Sequence, residues 1–148
     1  MAKTHSTGWT ALLISKKYGW NGNKLRLLFD TNVIIDFLKQ KNATIDLSPL
    51  VLQHECLVSV ITKLELLKFP FITFDEENII NEFLALLTIL PMNTAIENET
   101  IALSRSTRLK LPDAIIGATA IVYDAELVTT DPHFSGCKYD KLHIRELV

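Results

Sequence analysis

Cysteine is scarce in this sequence. Its 148 residues contain only Cys56 and Cys137, in no CxxC pair and with no histidines at zinc spacing. That excludes a disulfide framework and a zinc motif, and it points to a reducing compartment. Net charge is also small. At −2, the whole molecule is no polycation that gathers nucleic acid by bulk attraction. Long apolar runs are missing too. The longest strongly apolar stretch without a charge, Phe83 to Ile96, is 14 residues and contains Pro91 and Asn93, whereas a spanning helix needs about 20 apolar residues. Near the N-terminus only Ala11-Leu12-Leu13-Ile14 is continuously apolar, shorter than the roughly 7–15-residue core of a signal peptide. A cytoplasmic protein with no membrane contact is expected. There is no internal repeat and no low-complexity tract.

What is present is ordinary globular material. Apolar residues make up 48% and charged residues 22%, which argues against disorder. The length suits one domain, large enough to bury about two-thirds of its extended surface without a staple. The charge is unevenly spread. Residues 1–24 hold Lys3, Lys16, Lys17 and Lys24 and no acid, while the remainder carries 11 basic and 17 acidic residues. The turn-rich block Tyr18 to Lys24 reads as a boundary. Residues 1–24 are therefore expected to be a basic extension, and residues 25–148 the domain. An acid excess in a compact domain serves solubility, or gathers carboxylates around a metal.

From Lys24 onward, short apolar runs alternate with helical patterns. Strands are expected at Leu25–Phe29, Cys56–Val60, Thr88–Pro91, Glu126–Thr129 and Leu142–Glu146. Helices are expected over Asn32–Gln40, Ser48–Glu55, Ile61–Phe69, Asp75–Leu87, Thr94–Arg108 and from Pro112 to about Tyr123. Pro70 stops one helix, and Pro112 suits the first turn of another. The alternation predicts a parallel α/β sheet covered on both faces. In such sheets, sites lie beyond the carboxyl ends of the strands, near a switch in strand order.

Acids occur where that rule directs attention. Asp30 follows the first strand; as a helix N-cap it has a purely structural use, but Asp30-Thr31-Asn32 supplies three polar groups at one junction, more than a cap needs. Glu65 falls on the wheel between Ile61 and Phe69, within an apolar arc, where a glutamate requires a partner; Lys68 or a cation would serve. Asp113 is favourably placed in a first turn, at the tip of a helix whose residues 114–123 carry no charge. Gly117 and Ala120 lie above it on the same face, leaving room for another element or a ligand. Asp131 follows the fourth strand and precedes Pro132, a common turn pattern. Each acid alone has a structural reading. Together they converge at one end of a parallel sheet, and four ionised carboxylates share a small space only if something offsets their repulsion. A hard divalent cation with oxygen ligands does so, which favours Mg²⁺ or Mn²⁺ and a water-activating cleavage of phosphodiesters.

Four segments resemble the PIN-domain family, and within it the VapC-like toxins of toxin–antitoxin pairs: Leu27-Leu-Phe-Asp-Thr-Asn-Val-Ile-Ile-Asp36, Ser59-Val-Ile-Thr-Lys-Leu-Glu-Leu-Leu67, Leu111-Pro-Asp-Ala-Ile-Ile-Gly-Ala-Thr-Ala120 and Leu127-Val-Thr-Thr-Asp131. The resemblance runs in order from residue 25 to about 148. It implies a three-layer α/β/α sandwich with a central, mainly parallel sheet and a metal-dependent endoribonuclease site. It assigns Asp30, Glu65, Asp113 and Asp131 as the acidic quartet that is both catalytic and metal-binding, and Thr31, Asn32 and Thr129 as polar positions that orient the acids or the water. It implies an RNA substrate, a homodimer and an antitoxin partner. The basic extension departs from the family, whose members usually begin just before the first strand.

RNA binding needs cations even in an acidic chain. Arg105, Arg108 and Lys110 precede Asp113, and Arg105 and Arg108 are expected to share a helix face at i, i+3, where they would hold the RNA backbone or simply face solvent. His133 follows the last acid and reads as a loop residue. Phe37, Leu38 and the apolar 60–90 region supply core, or a groove for an antitoxin helix. Two other functions compete. One is a non-catalytic PIN-type RNA-binding or interaction module, against which the intact quartet argues. The other is phosphoryl transfer with Asp30 as nucleophile, for which a second Asp two residues on is wanted and Asn32 stands instead.

Overall fold

The computed structural model describes residues 24–39 and 45–147. The basic extension expected at residues 1–24 lies outside the described residues, apart from Lys24.

Five strands form one sheet: β1 (Arg26–Phe29), β2 (Glu55–Ser59), β3 (Thr88–Leu90), β4 (Glu126–Thr129) and β5 (Ile144–Glu146). Their order is β3-β2-β1-β4-β5, and every adjacent pair is parallel. The helices are α1 (Thr31–Leu38), α2 (Ser48–Gln53), α3 (Val60–Leu67), α4 (Phe74–Leu84), α5 (Thr94–Ser106), α6 (Leu111–Val122) and the short α7 (Pro132–Ser135). The strands expected from sequence all form, with ends shifted by a residue or two.

The pleat explains why these strands are apolar throughout. Leu27 and Phe29 enter one core with Cys56, Val58, Val33, Leu66 and Phe83. Leu28 and Leu57, one residue out of phase, enter the other with Ile116, Leu127 and Phe134. Successive side chains point to opposite faces, so a sheet covered on both faces needs a continuous apolar run. The result is the α/β/α sandwich with a parallel sheet that the sequence predicts. No helix among the described residues is long and apolar enough to cross a membrane.

Strand β1 is central. The chain builds outward from it through β2 to β3, then crosses to the other side for β4 and β5. The reversal opens a crevice at the carboxyl ends of β1 and β4.

Helix α6 closes one side of that crevice. Pro112 sits in its first turn, and Ala114, Ile116, Gly117, Ala118, Thr119 and Ala120 are buried. A Cβ on Gly117 would lie 3.0 Å from Leu103 Cδ2. The small side chain expected to admit another element or a ligand therefore admits α5.

One sequence expectation fails here. Helix α5 ends at Ser106, and Thr107 leaves it with φ −136° and ψ 175°. The Thr107 hydroxyl donates to the Leu103 carbonyl at 2.8 Å, satisfying a helix-end acceptor by a side chain instead of another turn. Arg108 therefore lies past the helix, and Arg105 and Arg108 do not share a helix face. The helix of Glu65 also ends earlier than expected, at Leu67. Phe69 lies beyond it and is exposed, so it forms no part of an apolar arc around Glu65.

Candidate active site

Three strand ends carry polar residues that cap the following helix. Asp30 caps α1, accepting from the Thr31 backbone N–H at 2.7 Å. Ser59 caps α3 through Ile61 N–H at 3.1 Å. Asp131, two residues past β4, caps α7 through His133 N–H at 2.9 Å. The structural readings of Asp30 and Asp131 are thus correct as far as they go.

The caps do not exhaust these side chains. Asp30 is only 2% exposed, and its second oxygen, Oδ2, accepts from the Thr129 hydroxyl at 2.8 Å. Thr129 Oγ1 in turn accepts from the Asp131 backbone N–H at 2.9 Å. One buried threonine thereby fixes two of the acids, joining the ends of β1 and β4.

Glu65 enters from α3. Its Oε1 accepts from the Thr31 hydroxyl at 2.8 Å, and the same hydroxyl pairs with that of fully buried Thr62 at 3.0 Å. The partner of Glu65 is therefore Thr31, the residue next to Asp30. Thr62 escaped the sequence reading. Its signal was its place three residues before Glu65 on the same helix, which puts both on one face. Asn32 is exposed in the first turn of α1.

Electrostatics tie in the rest. Burial raises Asp30 from its ordinary 3.8 to about 7, with the charges of Asp113 and Asp131 adding to the rise against the opposing bonds from Thr129 and Thr31. Asp113, at the tip of α6, is also raised, first by burial and then by the charges of Asp131 and Glu65, while His133 and Lys110 oppose the rise. Asp30 thus feels the charges of Asp113 and Asp131, and Asp113 those of Asp131 and Glu65. Among the described residues, no group of three or more His, Cys, Asp or Glu side chains stands where it could hold a metal ion as placed.

Two basic side chains border the cluster. His133 Nδ1 lies 2.9 Å from Asp131 Oδ1. Lys110, at the start of α6, is exposed and acts on Asp113. Arg105 and Arg108 are exposed nearby in sequence. A further bond, from the Thr130 hydroxyl to Asp36 Oδ2 at 3.1 Å, fastens α1 to the segment after β4.

The class is set by these features: an open parallel α/β/α domain with a cluster of acids at the carboxyl ends of its central strands. The sequence profile of the PIN domain matches residues 27–137, and the chain belongs to the PIN-domain family. Solved structures agree. A chain of a toxin–antitoxin complex from Klebsiella pneumoniae is 31% identical, with a TM-score of 0.64, over 74% of this chain and 91% of that one. VapBC2 from Rickettsia felis, bound to a DNA fragment from its promoter, shares the fold at 18% identity with a TM-score of 0.70, over 82% of this chain and 98% of that one. DNA-bound VapBC from Salmonella typhimurium does so at 20% identity with a TM-score of 0.68, over 82% and 98%. No curated protein matches by sequence.

Proposed function

We propose that this PIN domain is a metal-dependent endoribonuclease and the toxin of a toxin–antitoxin pair. The observation that carries the reading is the like-charge coupling of Asp30 to Asp113 and Asp131, and of Asp113 to Glu65, at the carboxyl end of the sheet. Burial and like charge there lift Asp30 to about 7. An arrangement that disfavours its own ionisation is expensive unless a cation offsets it.

The donor set fits a hard cation. All four side chains offer oxygen only, which suits Mg²⁺ or Mn²⁺. Asp30, Glu65, Asp113 and Asp131 would hold the ion, which when bound supplies an activated water and charge stabilisation for the leaving oxygen of a phosphodiester. The protein's own part is positioning. Thr129 orients Asp30 and Asp131 together, and Thr31 orients Glu65; Asn32, exposed beside them, is placed to meet the water. Such partners govern the geometry of metal ligands. Arg105, Arg108 and Lys110 hold the RNA backbone beside the acids.

The relatives support an antitoxin partner, since one is solved as a toxin–antitoxin complex and others as VapBC. An apolar groove of about 510 Å³ runs between α1, α3 and α4, lined by Ile35, Leu38, Leu66, Phe69, Phe71 and Ile80 among others. Phe71 at its rim is 93% exposed. The groove suits the apolar face of an antitoxin helix. The working unit is a homodimer in the cytoplasm. The alternative, a non-catalytic RNA-binding or interaction module, keeps the fold and leaves the facing acids without a use.

Cleavage of labelled RNA by wild type and Asp30→Asn, with Mg²⁺ or Mn²⁺ and with chelator, tests the proposal. Cleavage that requires both the metal and Asp30 is expected. Folded, metal-loaded protein that cuts no RNA would favour the binding module.

A further inference from the structure

A second cavity lies beside the acids. It holds about 300 Å³, between the 106–109 segment that leaves α5 and the 133–138 segment around α7. That is the lower end of the size of small-molecule sites, roughly 300–1,000 Å³, and it suits a single nucleoside unit. Its lining includes Arg108, Leu109, His133, Cys137 and Lys138, with no carboxylate among the lining residues. The contrast with the adjoining acidic crevice is complete, and the two share one wall, His133.

His133 is unusual for an exposed side chain. It is 85% exposed, yet two bonds fix it: its backbone N–H and its ring Nδ1 both meet Asp131 Oδ1 at 2.9 Å. An aromatic ring that is exposed but held in orientation is a stacking platform, and bases of single-stranded RNA stack on histidine as on other aromatic rings. Leu109 and Cys137 are half-buried in the same lining, giving an apolar floor. Arg108 and Lys138 are exposed at its edge, where phosphates would pass.

We infer that this cavity is a nucleotide subsite, taking one unpaired nucleotide next to the scissile phosphate, with its base stacked on His133 and its phosphate held by Arg108 and Lys138. The inference rests on the nuclease reading for its substrate. It adds that the substrate is single-stranded at this point, and that His133 and Lys138, which the acidic site does not require, set its binding.

The test is fluorescence anisotropy with a labelled five-nucleotide single-stranded RNA, on the Asp30→Asn background with Mg²⁺ so that the probe survives. His133→Ala should weaken binding by about ten-fold, the scale of losing one stacked base. His133→Phe, which keeps the ring but not the bond to Asp131, should restore part of the binding that His133→Ala loses, because stacking tolerates any π-face but the ring is no longer held in orientation. The pair Arg108→Ala and Lys138→Ala should weaken binding and flatten its salt dependence. A series of pentamers with an abasic unit at each position in turn should contain one that binds the parent protein as weakly as the intact probe binds His133→Ala. Equal binding by His133→Ala and its parent, or by every abasic probe and the intact one, would overturn the subsite. RNA cleavage by the wild-type chain is scored separately: no cleavage sinks the nuclease reading, whereas cleavage without a stacking effect sinks only the subsite.

Discussion

The two ends of the sheet treat charge in opposite ways. At the amino ends of the strands, opposite charges pair. Arg26 meets Glu55 at 3.3 Å and donates to the Tyr123 carbonyl at 2.6 Å, while Arg145 meets Glu126 at 2.7 Å. These groups are partly exposed, and water screens them in part. At the carboxyl ends, like charges meet. Asp30 is buried and faces Asp113 and Asp131, with only hydroxyl and backbone donors to steady it. The same sheet therefore pairs opposite charges at one end and brings like charges together at the other. Gathered acids at that end cost stability, and the proposed function gives that cost a use.

The largest effect should come from removing the most buried acid. Asp30→Asn is expected to lower RNA cleavage by about 100-fold or more, since even partners one step removed from a metal ligand cost about 10–100-fold. Steady-state cleavage with saturating Mn²⁺ measures it. Retained cleavage would break the contrast between the two ends.

Next is the pH dependence of stability without metal. Asp30 titrates near its ordinary 3.8 when unfolded and at about 7 when folded. Between those values the native state binds more protons than the unfolded state, so stability falls as pH rises. The full loss is on the order of 4 kcal/mol. Urea unfolding in chelator at pH 4.5 and at pH 7.5 should show a clear decline, and Asp30→Asn should flatten it. A pH-independent midpoint would contradict the burial of that charge.

Thr129→Val probes the link between two acids at little change in volume. It removes the donor to Asp30 Oδ2 and the acceptor for the Asp131 N–H. Metal affinity should drop by about 10–100-fold, as read by calorimetry, and Asp30 should titrate still higher. The smallest effect belongs to the opposite end. Glu126→Gln removes a partly exposed ion pair and should shift stability by about 1 kcal/mol or less in a urea titration, with cleavage unchanged.

How far the sequence carried this account depends on the range of each interaction. Strand β1 was legible because Leu27, Leu28 and Phe29 all had to be buried, on both faces of the sheet. Asp30 and Asp131 were legible because strand ends are where an open parallel sheet places its site. The partner of Glu65 was not. Thr31 is 34 residues away, and no local pattern encodes that bond; an apolar arc was inferred in its place, and Phe69 falls outside it. The shared face of Arg105 and Arg108 failed for a local reason, because the Thr107 hydroxyl competes for the Leu103 carbonyl and ends the helix. His133 passed as an ordinary loop residue, since only the fold sets it against both Asp131 and a cavity of opposite charge.

The measurement that bears most directly on the account is a calorimetric titration of Mn²⁺ into wild type and Asp30→Asn, with thermal unfolding of both followed in chelator. The facing acids predict that wild type binds Mn²⁺ and is stabilised by it. Asp30→Asn should bind far more weakly, yet be the more stable of the two in chelator at pH 7.5. A wild-type protein that binds no divalent cation, with Asp30→Asn no more stable than it, would contradict the claim that these four carboxylates are gathered to hold a metal.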